Sequence, residues 1–326
     1  MIPESLQSCF KRKYMKILVT GAAGFIGSHT SERLKKLGHE VIGIDNFSPY
    51  YDISLKNLNA KVLSGKNIKI LNLDLRDTDL AENLPNDLDF IFHFAAHPGI
   101  SSTSSFEDYF SNNILATQRL LEFAERLAKK PFFVNIATSS IYGLEATFPE
   151  SVPPKPASWY GVTKLAAEQL VLAKSRENKL KGTSLRLFSV YGPRERPDKL
   201  YTRLIDCGLN NKAFPLFEGS EKHLRSFTYV QDIVDGIVSV IGKEEVCNGE
   251  VFNLGTETES TTAQGIATAE EILQKKIKTG INPPRDGDQS RTKANIDKAR
   301  KLLSYNPQTT LKEGLIAQTE WFKENF

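Results

Sequence analysis

Ile17-Leu18-Val19-Thr20-Gly21-Ala22-Ala23-Gly24-Phe25-Ile26-Gly27 decides the fold. An apolar, β-branched run ends in three glycines spaced three apart, and a helical period of Ile26, Thr30, Leu34 and Leu37 begins at once. The stretch therefore reads as strand, tight turn and helix, the shape of a dinucleotide clamp. Gly21 suits a sharp turn and Gly24 lets backbone N–H groups reach a pyrophosphate. Gly27 seats the helix close to the strand, its positive end facing the phosphates. The spacing differs from the common GxGxxG, and a plain glycine turn before a helix would look similar. The next strand decides between them. Glu40 to Asp45 reads as a buried strand that ends in an acid eighteen residues past Gly27. A carboxylate there accepts hydrogen bonds from an adenosine ribose and repels a 2′-phosphate, which favours NAD over NADP.

Outward from this clamp the chain alternates. A turn-rich loop, Asn46 to Asp52, leads to a helical stretch from about Ser54, and Asn67 to Leu73 reads as a strand ending at Asp74 and Leu75. Asp74 falls where a third strand would meet the adenine; on spacing alone it serves equally well as a helix cap for Asp77 onward. Leu88 to Ala96 is a strand running into Phe94-Ala95-Ala96, followed by a helix from about Phe106 to Lys129, a strand from Pro131 to Ala137 and a helix from Ser158 to Arg176. Repeated units of this kind predict an α/β fold, a doubly wound parallel (Rossmann) sheet, with its site beyond the carboxyl ends of the strands. Past Val190 prolines punctuate shorter helices, and only Phe227 to Val230 and Val251 to Leu254 read as strands. The expected organisation is an NAD-binding domain from residues 15–189 plus 226–256. A second, smaller mixed α/β substrate lobe would come from 190–225 plus 257–326.

The totals narrow the class. At 326 residues, 40% hydrophobic and 25% charged, with a net charge of +3, the chain has the balance of an ordinary globular protein and no signature of a nucleic-acid partner. Cys9, Cys207 and Cys247 are few and scattered, so reduced thiols in a cytoplasmic protein are expected. No apolar stretch approaches the roughly 18 residues that span a bilayer. Residues 1–14 read as a basic extension, and Met15, directly before the first strand, is an alternative start.

Tyr160 and Lys164 lie one helical turn apart, so their side chains share a face. A nearby ammonium, with an oxidised nicotinamide, favours the phenolate and would bring Tyr160 toward neutrality. The helix that carries them follows a strand ending in Thr138-Ser139-Ser140, three hydroxyls at a carboxyl end.

With these residues in place the chain, from about Met15 to Phe326, resembles the extended short-chain dehydrogenase/reductases of the nucleotide-sugar epimerase type. The likeness is carried by Thr20 to Gly27, Asp45-Asn46-Phe47, Phe94-Ala95-Ala96, Thr138 to Gly143, Tyr160 to Lys164, Val190 to Pro193 and Arg225 to Asp232. The resemblance implies a tightly held NAD, with Gly21, Gly24, Phe25, Ile26, Gly27, Asp45, Asn46, Asp74, Leu75, Ala95, Ala96, Tyr160 and Lys164 as its contacts. Tyr160 would be the acid/base, Thr138 the hydroxyl partner of the reacting sugar oxygen, and Lys164 the residue that binds ribose and tunes the tyrosine. Ser139 and Ser140 would meet the substrate, and Arg225 and Arg285 would hold the diphosphate of a UDP-sugar. Ser140 stands where dehydratases and decarboxylases of the group carry a glutamate, so redox at one carbon is expected.

The segments Asp45 to Asp52 and Ser189 to Asp198 are similar to those of UDP-glucuronate 4-epimerases, which implies that Ser189 and Arg196 meet the sugar's carboxylate. Ile100-Ser101 and Lys199 depart from that pattern, and a UDP-glucose or UDP-N-acetylhexosamine 4-epimerase is the alternative. The implied chemistry is oxidation at C4 to a 4-keto sugar and return of the hydride to the other face. A homodimer paired through the helices near 106–129 and 158–176 is implied as well. His93 and His97 lack ligand-spaced partners, so no metal is expected. Trp159 and Trp321 are read as packing residues.

Overall fold

The computed structural model describes residues 14–101, 103–284 and 289–326. The extension before Tyr14, Cys9 within it, and Arg285 lie outside the described residues.

Seven strands form one parallel sheet: β1 (Lys16–Thr20), β2 (Glu40–Asp45), β3 (Lys69–Asn72), β4 (Phe90–His93), β5 (Phe132–Thr138), β6 (Gly182–Leu187) and β7 (Val251–Leu254). Their order is β7-β6-β5-β4-β1-β2-β3, with every neighbouring pair parallel. The reversal of direction at β1 is the switch point at which such sheets bind ligands. Ile17, Leu18 and Val19 are all fully buried. Ile17 and Val19 pack into one core and Leu18 into a second, because helices cover both faces and leave no polar side to alternate toward.

Two features of the sheet depart from the sequence reading. Strand β6 was not anticipated, since Thr183, Ser184 and Arg186 interrupt its apolar run, yet all six of its residues are buried. Its polar side chains are satisfied inside: Asn135 on β5 donates to Ser184 at 2.9 Å, and Arg186 pairs with Glu168. The helix expected over 106–129 runs Phe106–Tyr109, then a wider π-turn over Phe110–Leu115, then Ala116–Arg126.

The later chain holds more strands than the two expected. Phe214–Phe217 pairs in parallel with Thr279–Asn282. Leu224–Arg225 pairs with Ser260–Thr261 and with Arg291–Thr292, which also meets Glu145–Ala146. These are segments of two to four residues; Phe214 and Leu216 pack into a small third core around Tyr191, Tyr201, Leu204 and Leu315, whereas Ala146 belongs to the core of the main sheet. Strands this short leave too little periodicity to read.

Candidate active site

The strand ends open into one cleft of about 570 Å³. It is lined by every described residue that the sequence singled out: Gly21, Gly24, Phe25, Ile26, Gly27, Asp45, Asn46, Asp74, Leu75, Ala95, Ala96, Thr138, Ser139, Ser140, Tyr160, Lys164, Ser189, Arg196 and Arg225.

At one end lies the glycine turn. Helix α1 (Phe25–Lys36) starts at Gly24 with no side-chain cap and no acid in its first turn, so its first N–H groups stay available to an anion. A Cβ on Gly27 would sit 2.2 Å from the Gly21 carbonyl oxygen, and one on Gly21, at φ +68°, would sit 2.9 Å from the Ala95 nitrogen. Neither position admits a side chain, and both hold the backbone close enough for a pyrophosphate to be gripped by main chain.

Asp45 ends β2, 6% exposed, and is wired into this turn. Its oxygens accept from the Ala23 N–H at 3.1 Å and the Phe47 N–H at 2.9 Å, and the buried Lys56 ammonium stands 3.5 Å away. The carboxylate read from the sequence thus stands where expected, held in place by two backbone donors and a buried ammonium. Asn46 donates to Asp74 at 2.8 Å. Arg76 grips the same carboxylate at 2.6 and 2.8 Å and holds it well below the usual carboxylate range. The helix-cap alternative for Asp74 falls away, since the next helix begins at Leu80 behind Asp79.

At the centre, Thr138 closes β5. Its hydroxyl accepts from the Ser140 N–H at 3.2 Å and so caps the turn Ser139–Tyr142. Helix α2 (Trp159–Arg176) is capped by Ser158, which accepts from Gly161 N–H at 3.1 Å. A Cβ on Gly161 would meet the Ser140 carbonyl oxygen at 2.7 Å, so this glycine lets the helix lie directly on the hydroxyl-bearing turn. Tyr160 comes to face the Thr138 hydroxyl. Burial pushes the phenol up from its ordinary value, opposed by the Thr138 hydroxyl, the Arg196 charge and the Gly99 backbone. Among the protein's own groups desolvation outweighs those that favour the phenolate; the fall toward neutrality read from the sequence rests on Lys164 together with an oxidised nicotinamide. Lys164 itself, 4% exposed, is pushed down to about 8 by burial, with Glu168 one turn on favouring its charge.

Glu168 belongs to a buried clasp. It takes two hydrogen bonds from Arg186, at 2.7 and 3.0 Å, and Arg186 donates a third to the Tyr142 hydroxyl at 2.7 Å. The clasp therefore joins the helix of Tyr160 and Lys164 to the turn of Thr138. Asn113, in the π-turn, ties the neighbouring loop: it accepts from the His97 N–H at 2.7 Å and donates to Thr163 at 3.0 Å. None of Lys56, Asn113, Glu168 or Arg186 was singled out from sequence, for their partners lie far off along the chain.

Arg196, 7% exposed, lies beside Gly99, with its charge felt at Tyr160. Its fork is engaged by Asp198, and the Tyr50 ring lies 5.3 Å from it. Neutral His93, pushed down to about 3 by burial, bridges the Thr20 and Thr117 hydroxyls at 2.8 and 2.9 Å. Among the described residues no three His, Cys, Asp or Glu side chains gather at a metal-sized site. Trp159, expected to be packing, is 55% exposed.

A cradle for a pyrophosphate, a phenol against a hydroxyl, and a buried ammonium equip this cleft for dinucleotide-assisted proton and hydride transfer at a secondary alcohol. The NAD dependent epimerase/dehydratase family profile matches residues 17–255. An uncharacterised UDP-glucose epimerase of Bacillus subtilis is 42% identical, over 92% of this chain and 96% of its own. UDP-glucuronate 4-epimerase 3 of Arabidopsis thaliana is 35% identical over 95% and 77%. The crystal structure of UDP-glucuronic acid 4-epimerase from Bacillus cereus, in complex with UDP-glucuronic acid and NAD, is 37% identical. It superposes with a TM-score of 0.90 over 96% of this chain and all of that one. The glycine turn, the acid that closes β2 and the Thr138, Tyr160 and Lys164 group thus stand in a chain that belongs to the NAD-dependent epimerase/dehydratase family.

Proposed function

We propose that this enzyme inverts C4 of a UDP-sugar, and that UDP-glucuronate, giving UDP-galacturonate, is the substrate that fits best. The observation that carries the reading is the half-buried Tyr160 phenol opposite the Thr138 hydroxyl, with the Arg196 guanidinium lining the same cleft and its charge felt at the phenol. Gly21, Gly24, Gly27 and the first N–H groups of α1 would hold the NAD pyrophosphate. Asp45, Asn46 and Asp74 would hold its adenosine, and Lys164 its second ribose. When bound, NAD supplies the hydride acceptor for C4 and is restored within the same turnover. Its positive ring also favours the phenolate that burial opposes.

Tyr160 takes the proton from the C4 hydroxyl while Thr138 hydrogen-bonds the same oxygen, giving a 4-keto sugar. Arg225, with Arg285, anchors the diphosphate as the ketone presents its other face; Ser139, Ser140, Ser189 and Arg196 orient the hexose. Tyr160 then returns the proton to the inverted alcohol. General acid–base help of this kind contributes about 10²- to 10⁴-fold.

One observation favours a UDP-glucose 4-epimerase instead: the Arg196 fork already holds Asp198. The two substrates, offered separately with products resolved by chromatography, decide between them. UDP-glucuronate should turn over with the higher kcat/KM, and Arg196→Ala should raise KM for the acid alone by roughly 10- to 150-fold, the loss of one charge-assisted interaction. Preference for UDP-glucose, with Arg196→Ala neutral on both, refutes the acid reading.

A homodimer fits the exposed apolar patch of Phe106, Phe110, Trp159 and Val162, 38–55% exposed, on two adjacent helices. Trp159→Glu should halve the mass measured by light scattering. Among the described residues no helix is long and apolar enough to cross a membrane. The buried free thiols of Cys207 and Cys247 suit a cytoplasmic setting. The proposed division into an NAD-binding domain (15–189 plus 226–256) and a substrate lobe (190–225 plus 257–326) suits a cleft lined by the glycine turn from the first and by Arg196 and Arg225 from the second.

A further inference from the structure

Arg196 is a cation fixed in the cleft wall, and it already grips an anion. Its Nε donates to one Asp198 oxygen at 3.0 Å and its Nη2 to the other at 2.9 Å, the two-pronged geometry with which a guanidinium takes any carboxylate. Its Nη1 reaches the Pro98 carbonyl at 3.4 Å, and the Tyr50 ring lies 5.3 Å from the guanidinium carbon. The partners are unequal: the arginine side chain is 9% exposed and the aspartate 49%. The cation is built in, whereas the anion sits at the mouth and can leave for water.

Resting on the epimerase reading above, we propose that Asp198 is an internal stand-in for the substrate's carboxylate. It closes the Arg196 fork when no acid is bound and is displaced by the C6 carboxylate of a hexuronate, while a neutral hexose leaves the pair closed. Exchange of one carboxylate for another keeps the buried guanidinium paired throughout, so the cation never bears the cost of standing alone in the wall. A C6 alcohol offers no charge to replace Asp198, and displacement for its sake is unfavourable. Lys199, the next residue, already exerts its charge on Asp198 and flanks the same spot as Arg196 Nη2: their nitrogens would lie 3.4 and 3.2 Å from a Cβ on Gly99. The departing aspartate therefore has a second cation beside it. The acid's advantage over the neutral sugar comes from the Arg196 fork, and competition between two carboxylates for that fork tempers it.

The test uses the full chain with its NAD. Dissociation constants for UDP-glucuronate and UDP-glucose are measured by calorimetry on wild type and on Asp198→Asn, which keeps the shape and removes the charge. The preference for the acid over the neutral ligand should rise about tenfold in the variant, the loss of a competing charge-assisted bond. A preference that falls or stays put overturns the inference, since Asp198 would then merely orient Arg196. Should the variant not fold, crystal structures of wild type with each ligand decide: Asp198 off Arg196 with UDP-glucuronate and on it with UDP-glucose supports the exchange. Asp198 on Arg196 in both refutes it. Wild type that neither binds nor converts UDP-glucuronate, read first, overturns the substrate reading and this inference together. Wild type active on the acid with an unmoved ratio in the variant overturns this inference alone.

Discussion

Glu168→Gln tests whether the buried clasp does more than stabilise. Glu168 is fully buried and Arg186 3% exposed, so the pair stands beyond solvent screening, and two hydrogen bonds with Ser184 as a third donor satisfy the carboxylate. Glutamine keeps the volume but turns one acceptor into a donor that faces the guanidinium, leaving Arg186 a buried charge without a counter-ion. Exposed pairs contribute about 0–1 kcal/mol, whereas removal of one partner from a buried pair costs about 3–5 kcal/mol. The larger figure applies, and for a chain of this length the melting temperature should fall by roughly 4–7 °C. Two effects on the site follow. Arg186 loosens its hold on Tyr142, and with it the turn that positions Thr138; Lys164 loses the carboxylate that favours its charge. Urea denaturation followed by tryptophan fluorescence measures the first quantity, and kcat against pH the second. The double variant Glu168→Leu, Arg186→Met removes both charges and should recover most of the stability, while kcat stays low because the turn is no longer tied to the helix. A loss under about 1 kcal/mol for Glu168→Gln, or full activity in the double variant, refutes the reasoning.

Tyr160→Phe should lower kcat by at least about 10²-fold while NAD still copurifies; undiminished epimerisation removes the phenol from its role. Gly27→Ala, whose methyl would lie 2.2 Å from the Gly21 carbonyl oxygen, should strip the protein of nucleotide, checked by chromatography of the supernatant after denaturation. Lys164→Met should stabilise NAD-stripped protein by up to about 3 kcal/mol at neutral pH, because the folded state holds this ammonium near 8 against its ordinary 10.5. The sign follows from proton counts: between those values the unfolded chain binds more protons, so wild type gains stability as pH rises and the variant's advantage shrinks. An advantage that grows above pH 8 in the denaturation midpoint would contradict it.

Much of the fold and of the site is legible in the amino-acid sequence. The glycine trio acts through a left-handed turn at Gly21 and the contact of Gly27 with the Gly21 carbonyl, both set within seven residues of chain. The spacing of Tyr160 and Lys164 acts through helical period, and an acid closing the apolar second strand marks the ribose side of a nucleotide site. Local geometry dictates these, so a linear reading finds them.

What tertiary structure alone decided depends on residues far apart in the chain, and on desolvation, which no spacing reports. Strand β6 hid because its serine and arginine are apolar-compatible only once Asn135 and Glu168 arrive to satisfy them. Lys56 tempers Asp45 across eleven residues of loop and helix, and Asp198 closes Arg196 by a turn of the chain that its sequence neighbours do not foretell. Burial pushes the Tyr160 phenol up and the Lys164 ammonium down, because the energy of taking a charge out of water belongs to the whole enclosure and not to any pair within it.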